Sequence, residues 1–222
     1  YIMGKLIVIE GLDGSGKHTQ AVLLKNYLES IGKSVKMVSF PNYESPSSAL
    51  VKMYLAGDFG KEADSVNPYT ASTFYAVDRF ASFRTGWQNF YENGGIIIAD
   101  RYTTSNAVHQ CSKLPHEQWD SFLKWLFEFE YKYMGIPAPD NVIYLRADLE
   151  ISQKLISGRY NSDETKKDIH ERDLNYLKRS QVSADYCADK FGWNTVECIQ
   201  NGVMRSAENI SEEVKKFTIV DV

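Results

Sequence analysis

The chain has 222 residues, 43% of them hydrophobic, with 14 Tyr, 11 Phe and 4 Trp, which is ample for a packed core and shows no bias toward disorder or collagen. Its formal net charge is −4, whereas a protein that grips a nucleic-acid polymer carries a large basic surplus, so no such partner is expected and any phosphate recognition must be local. No apolar run approaches the length of about 18 residues that a membrane helix needs, no signal peptide is expected ahead of the first strand-like run, and Cys111, Cys187 and Cys198 fit neither a disulfide framework nor a zinc motif, which points to a reducing cytoplasm.

Leu6-Ile7-Val8-Ile9 is a continuous apolar run ending at Glu10-Gly11, the pattern of a buried parallel strand. A glycine-rich loop follows. Ala21, Leu24 and Leu28 then share one face of a helix from Thr19 to about Ile31, which Gly32 stops. Val35 to Phe40 reads as a second strand closed by Pro41, and Ser47 to Ala56 as a short helix. Asn67-Pro68 opens a long helix that can run to Asn93, with Gly94-Gly95 as its stop. Ile96 to Ala99 is a third strand, Pro115 to Lys132 an aromatic-rich helix, and Val142 to Leu145 a fourth strand. Asp148 caps a helix ending near Ser157-Gly158, and Asp168 to Lys190 reads as a long helix. Thr195 to Ile199 is a last strand and Ala207 to Phe217 a last helix. Strands separated by helices imply an α/β fold, a parallel five-stranded sheet with helices on both faces. The polar stretch 158–167 (GRYNSDETKK) has no apolar period and reads as a loop, either slack or a lid.

Gly11-Leu12-Asp13-Gly14-Ser15-Gly16-Lys17 lies between a strand and a helix, the context that a Walker A phosphate loop requires. Glycines let backbone N–H groups converge on phosphate oxygens, and the helix N-terminus adds partial positive charge. Gly11, Leu12, Asp13, Gly14, Ser15, Gly16, Lys17, His18 and Thr19 are therefore the candidate ATP-binding residues, with Lys17 reaching the β- and γ-phosphates. The hydroxyl expected after the lysine, a Mg²⁺ ligand, is replaced by His18. A neutral imidazole suits hard Mg²⁺ poorly. Either phosphates, water and an acid hold the metal, or Thr19 substitutes, or the chain binds nucleotide without catalysis. The acid is available, because the strand Ile96 to Ala99 ends in Asp100 as a Walker B strand does. The same residue could simply cap the helix that follows.

Gly11–Gln20 (GLDGSGKHTQ), Phe40-Pro41, Phe74–Arg79 (FYAVDR) and Asp100–Gln110 (DRYTTSNAVHQ) follow one another in the order and spacing of thymidylate kinases. Pro139-Asp140 and Asp168–Asp173 (DIHERD) extend the match, so the chain resembles that family over essentially its whole length. The resemblance implies a P-loop kinase fold forming one domain over 1–222, with a short mobile lid at 158–167. It implies ATP as phosphoryl donor, Mg²⁺ as cofactor, dTMP as acceptor, and a homodimer. By the same resemblance Tyr75 stacks on the base, Arg79 and Asn106 read its edge, and Arg101 grips the acceptor phosphate. Asp13 faces the sugar and acceptor phosphate, His109 lies near the ribose 2′ position, and Phe40, Pro41, Asp168 and Glu171 complete the dTMP site. Lys17, Asp100, Arg101 and Arg159 are the catalytic candidates, with Asp100 the metal ligand. Some relatives carry their catalytic arginine where this chain has Gly14; here Arg159 in the lid is the expected donor. Asn42-Tyr43 replaces a segment in which many relatives have an arginine.

Two other functions compete with dTMP phosphorylation. A deoxynucleoside kinase would accept an uncharged 5′-hydroxyl, against which Arg101 and the lid argue. A nucleotide-dependent switch, or an inactive nucleotide-binding protein, would have no use for residues that hold a second substrate.

Overall fold

In the computed structural model, which describes residues 3–147, 149, 151–152 and 173–218, five apolar runs become parallel strands. These are β1 (Lys5–Glu10), β2 (Val35–Ser39), β3 (Ile96–Asp100), β4 (Asn141–Arg146) and β5 (Asn194–Glu197), in the sheet order β2-β3-β1-β4-β5. Alternation along β1 sends Ile7 and Ile9 to one face and Leu6 and Val8 to the other. Ile7 and Ile9 pack with Ala21, Leu24 and Leu28 of α1 (Lys17–Ser30) and with Ile210 and Val214 of the last helix. Leu6 and Val8 pack with Phe83, Trp87 and Tyr91. Both faces are covered, which is why the strands read as unbroken apolar runs.

Helices α2 (Ala49–Ala56) and α3 (Pro68–Ser82) follow β2, and the Asn67 side chain caps α3 by accepting from Thr70 N at 2.9 Å. The expected helix to Asn93 is continuous in outline, with a π-helical turn at Phe83–Trp87 before α4 (Gln88–Glu92). After β3 come α5 (Thr103–Cys111) and α6 (Trp119–Phe127), the latter running into a second π-helical turn at Glu128–Tyr133. Helices α7 (Leu174–Phe191) and α8 (Ala207–Lys216) are the last two among the described residues.

Two expectations are corrected. The last strand stops at Glu197, because Ile199–Gln200 (β6) turns back antiparallel onto Val203–Met204 (β7). Asn201 and Gly202, both at positive φ (52° and 74°), make this two-residue hairpin turn. Helix α7 begins at Leu174, because the extended Asp173 caps it by accepting from Tyr176 N at 2.9 Å, and residues 168–172 of the expected helix lie outside the described residues. The expected helix from Asp148 to Gly158 lies mostly, and the segment 158–167 wholly, outside the described residues. Among the described residues no helix is long and apolar enough to cross a membrane.

Candidate active site

The chain leaves β1 for a phosphate loop and leaves β3 for Asp100-Arg101, and the two strands are neighbours with Ile9 in register with Asp100. Ligands of open parallel sheets collect at such carboxyl ends. The loop enters α1 through Gly16 at φ +86°, so the first N–H groups of a fourteen-residue helix face the loop. Lys17 Nζ donates to Leu12 O at 2.9 Å and lies 3.7 Å from the Asp13 carboxylate. Burial, and then the Arg101 guanidinium beside it, push the Lys17 ammonium down to about 8. Ser15 Oγ is buried in the loop with no partner among the described residues, a donor positioned where a phosphate oxygen could use it.

Gly14 stands at φ +82°, and a Cβ placed there would lie 2.7 Å from Ser152 O. An arginine at this point of the loop would be strained and would press on the Ser152 backbone.

Arg101 is one of two described non-glycine residues with positive φ, at 67°. That backbone is uncommon and costs of order 1 kcal/mol or more for a residue with a Cβ, and it persists only where its surroundings impose it. Its guanidinium donates to Asp13 Oδ1, approaches Ser105 Oγ and His109 Nε2 at 3.4 Å each, and lies 3.8 Å from Glu10 Oε1. Burial works against the charge on Asp13, but Arg101, Lys17 and His109 together hold its carboxyl well below the usual carboxylate range.

In the neutral ring, His109 Nε2 accepts from the Arg101 N–H, which can only donate, and Nδ1 carries the proton. Nδ1 then donates to Tyr176 Oη at 3.2 Å, and the Tyr176 hydroxyl donates to His109 O at 3.3 Å.

Asp100 is 7% exposed, and its Oδ2 is 3.3 Å from Nδ1 of His18, whose ring is largely in solvent. Thr19 is exposed on the next position of α1.

A second group forms where α3 faces α5. Arg79 is 2% exposed and Glu130 0%. Their side-on fork runs Nε to Oε2 at 2.7 Å and Nη2 to Oε1 at 2.5 Å. Asn106 Nδ2 donates to Glu130 Oε1 at 3.2 Å and to Ser72 O at 3.1 Å. Tyr75 is half-buried on the same helix, edge-on to Tyr54 at 6.3 Å. Phe40 is buried against Tyr102, and the segment after Pro41 is pinned by Asp78, which accepts from Asn42 N at 2.8 Å and Ser47 Oγ at 2.6 Å. Arg159, Asp168 and Glu171 lie outside the described residues.

The structure thus gathers Asp13, Lys17, His18, Asp100, Arg101 and His109 at one place, and joins Arg79 to Asn106. Sequence reasoning missed Glu10, Asp78, Glu130 and Tyr176. Glu10 is buried and accepts from Gly11 N, Thr104 Oγ1 and Ser105 Oγ at 2.9, 2.6 and 2.8 Å. A charged residue closing an apolar strand just before a phosphate loop was its only visible signal.

The thymidylate kinase family profile matches residues 9–209. A thymidylate kinase of Mycobacterium tuberculosis is 31% identical over 190 residues, covering 84% of this chain and 87% of that protein. A thymidylate kinase of Plasmodium falciparum is 26% identical over 226 residues, covering 98% and 96%. Among solved structures, thymidylate kinase from Candida albicans superposes with a TM-score of 0.68 at 21% identity, covering 96% of this chain and 90% of that one.

Proposed function

We propose a division of catalytic labour for this chain, which belongs to the thymidylate kinase family and transfers the terminal phosphoryl group of ATP to dTMP, giving dTDP and ADP. One observation carries the proposal: the phosphate loop and the Asp100-Arg101 turn sit side by side, joined by the Asp13–Arg101 ion pair. That is a site for two phosphates rather than one.

The phosphates of ATP lie against the loop N–H groups, Ser15 and Lys17. The acceptor phosphate lies against Arg101, which is held by Asp13, Glu10 and His109. Tyr75 stacks on the base, Arg79 and Asn106 read its edge, Phe40-Pro41 walls the pocket, and His109 borders the sugar. An oxygen of the dTMP phosphate, already anionic at neutral pH, forms the new bond to the γ-phosphorus as the bond to the β-phosphate oxygen breaks. No general base is needed, so the protein contributes position and electrostatics. Arg159 in a lid at 158–167 supplies the remaining cation, with Asp168 and Glu171 near the acceptor. Gly14 supports this reading, since a side chain there would be strained at φ +82° and would crowd Ser152 O.

A magnesium ion fits the residues present in one respect and not in another. Asp100 offers the oxygen that Mg²⁺ prefers, whereas the His18 nitrogen replaces a hydroxyl. Asp100, with phosphate oxygens and water, would hold it. When bound, the ion neutralises charge on the phosphates.

The chain acts as one kinase unit in the cytoplasm, a reading that the three buried free cysteines support. We further propose pairing with a second copy. Tyr69, Val77 and Phe80 fall within one arc of α3 and are exposed, as are Leu50 and Met53 on α2. Sedimentation at twice the chain mass is the expected result, and a monomer would reject it.

The function is tested with an acceptor panel of dTMP, dUMP and thymidine, supplied with ATP and Mg²⁺ and scored for ADP release. The expected order is dTMP, then dUMP, with thymidine hardly used. Faster turnover of thymidine would move the protein to the nucleoside kinases.

A further inference from the structure

Glu130 sits in the π-helical turn that ends α6, a helix irregularity often found at functional sites. Each of its carboxylate oxygens accepts two hydrogen bonds. Oε2 takes Arg79 Nε at 2.7 Å and Thr103 Oγ1 at 2.8 Å; Oε1 takes Arg79 Nη2 at 2.5 Å and Asn106 Nδ2 at 3.2 Å. The second N–H of the Asn106 amide goes to Ser72 O at 3.1 Å. Both partners of Nδ2 can only accept, so the amide cannot be turned over, and Oδ1 must face away from them. In Arg79 the fork uses Nε and Nη2, leaving Nη1 with one long contact, to Tyr102 O at 3.4 Å. The pair therefore offers one acceptor, Asn106 Oδ1, and, on Arg79, the N–H groups of Nη1 and Nη2 that the fork leaves over. Glu130 also neutralises the buried guanidinium, so this edge is polar without carrying net charge.

We propose that Glu130 is a positioning residue that sets this donor–acceptor polarity, and through it the choice of pyrimidine. The inference rests on the reading that Arg79 and Asn106 face the base. A pyrimidine with N3–H beside a C4 carbonyl, as in thymine and uracil, meets an acceptor and a donor in the matching order. Cytosine has the opposite order, a bare N3 beside an exocyclic amine, and would set donor against donor and acceptor against acceptor. A buried polar edge left unpaired is strongly disfavoured, so the discrimination comes mostly from rejecting the wrong base.

The test compares dTMP and dCMP on the full chain, by calorimetric binding and by steady-state kinetics, for the parent, Glu130→Gln and Thr103→Val. In Glu130→Gln an NH2 group replaces one oxygen, so two of the four donors lose their acceptor, and where that oxygen is Oε1 the Asn106 amide is held through Ser72 O alone. The ratio of dTMP to dCMP affinity is expected to fall by about 10-fold or more, the scale of one mis-set buried hydrogen bond, with KM for dTMP moving more than kcat. Thr103→Val removes one of the four bonds and leaves the fork intact, so it should narrow the same ratio by a smaller factor. A folded Glu130→Gln protein that binds both nucleotides with the parental ratio, even if more weakly, overturns the proposal, because a purely structural residue would behave that way. Should Glu130→Gln fail to give a cooperative melt, Thr103→Val decides, and an unchanged ratio there overturns it too. A parent protein that does not prefer dTMP over dCMP is a different failure, since it sinks the base-pocket reading and this inference with it.

Discussion

Arg101 reaches back from the end of β3 to the carboxylate of Asp13 inside the phosphate loop, and it does so from a left-handed backbone at φ 67°. In the proposed assignment the pair links the donor and acceptor sides of the site through one carboxylate. Asp13 is thus a hinge pin between the loop and the phosphate grip, and its charge is held by cations on both sides.

Asp13→Asn should therefore loosen Arg101 and lower kcat/KM for dTMP by about 10- to 100-fold, the range for a hydrogen bond between charged groups. It should also change the acid limb of stability. The Asp13 carboxyl is held below its ordinary 3.8 in the native state, so its contribution is present above that pH and lost as pH falls below it. Thermal melts should fall less steeply below pH 3.8 in the variant than in the parent. Parallel acid limbs would show that the ion pair does not stabilise the fold.

Lys17 titrates the other way. Its native pKa of about 8 lies below the ordinary 10.5, so holding the proton costs native stability below about 8, and that cost is relieved as pH rises toward 10.5. Phosphate oxygens reverse the balance by stabilising the ammonium. ATP binding at pH about 8.5 should then take up most of one proton, and at pH about 6.5 none through this group. Calorimetry in two buffers of different ionisation enthalpy reads the difference. Equal enthalpies in both buffers at the higher pH would remove Lys17 as a titrating phosphate ligand.

The metal prediction separates His18 from Asp100. With its ring 74% exposed, His18 meets the site, among the described residues, through Asp100 Oδ2 at 3.3 Å. His18→Ala should cost no more than a few-fold in activity, whereas Asp100→Ala should reduce it strongly at every magnesium concentration. His18→Thr restores the usual hydroxyl and should lower the magnesium needed for half-maximal rate. A large loss from His18→Ala in a protein that still melts cooperatively would give the imidazole a role of its own.

Much of this architecture was legible because both its strongest patterns are local. Leu6 to Ile9, Ile96 to Ala99 and Val142 to Leu145 are unbroken apolar runs, and only a strand covered on both faces reads that way. The phosphate loop is contiguous and needs no tertiary information. What stayed hidden depends on distant pairing. Glu130 falls within an aromatic helix where a charge reads as solvent-facing, and partners 51, 27 and 24 residues earlier, Arg79, Thr103 and Asn106, account for its burial. Glu10 is explained by hydroxyls 94 and 95 residues away. The β6–β7 hairpin failed for another reason. Its Asn-Gly turn was visible, but strands of two residues are too short to show alternation.

Arg159 tests the mechanism most directly. Charge on the moving phosphoryl group must be compensated, and Lys17 with the metal supplies only part of it. The phosphate loop adds no guanidinium, and one at Gly14 would be strained, its Cβ 2.7 Å from Ser152 O. Arg101 is already committed to Asp13 and to the acceptor side. The proposed source is the polar segment 158–167, and closure over the phosphates would also keep water from consuming ATP before dTMP arrives. Arg159→Ala should lower kcat by about 10²–10³-fold, the scale of losing one donor to the transition state, with little change in dTMP affinity. Arg159→Lys should recover little, since an ammonium cannot reproduce the planar fork. Near-normal kcat in Arg159→Ala would move the burden to Lys17, Arg101 and the metal, and the lid would then serve only to exclude water.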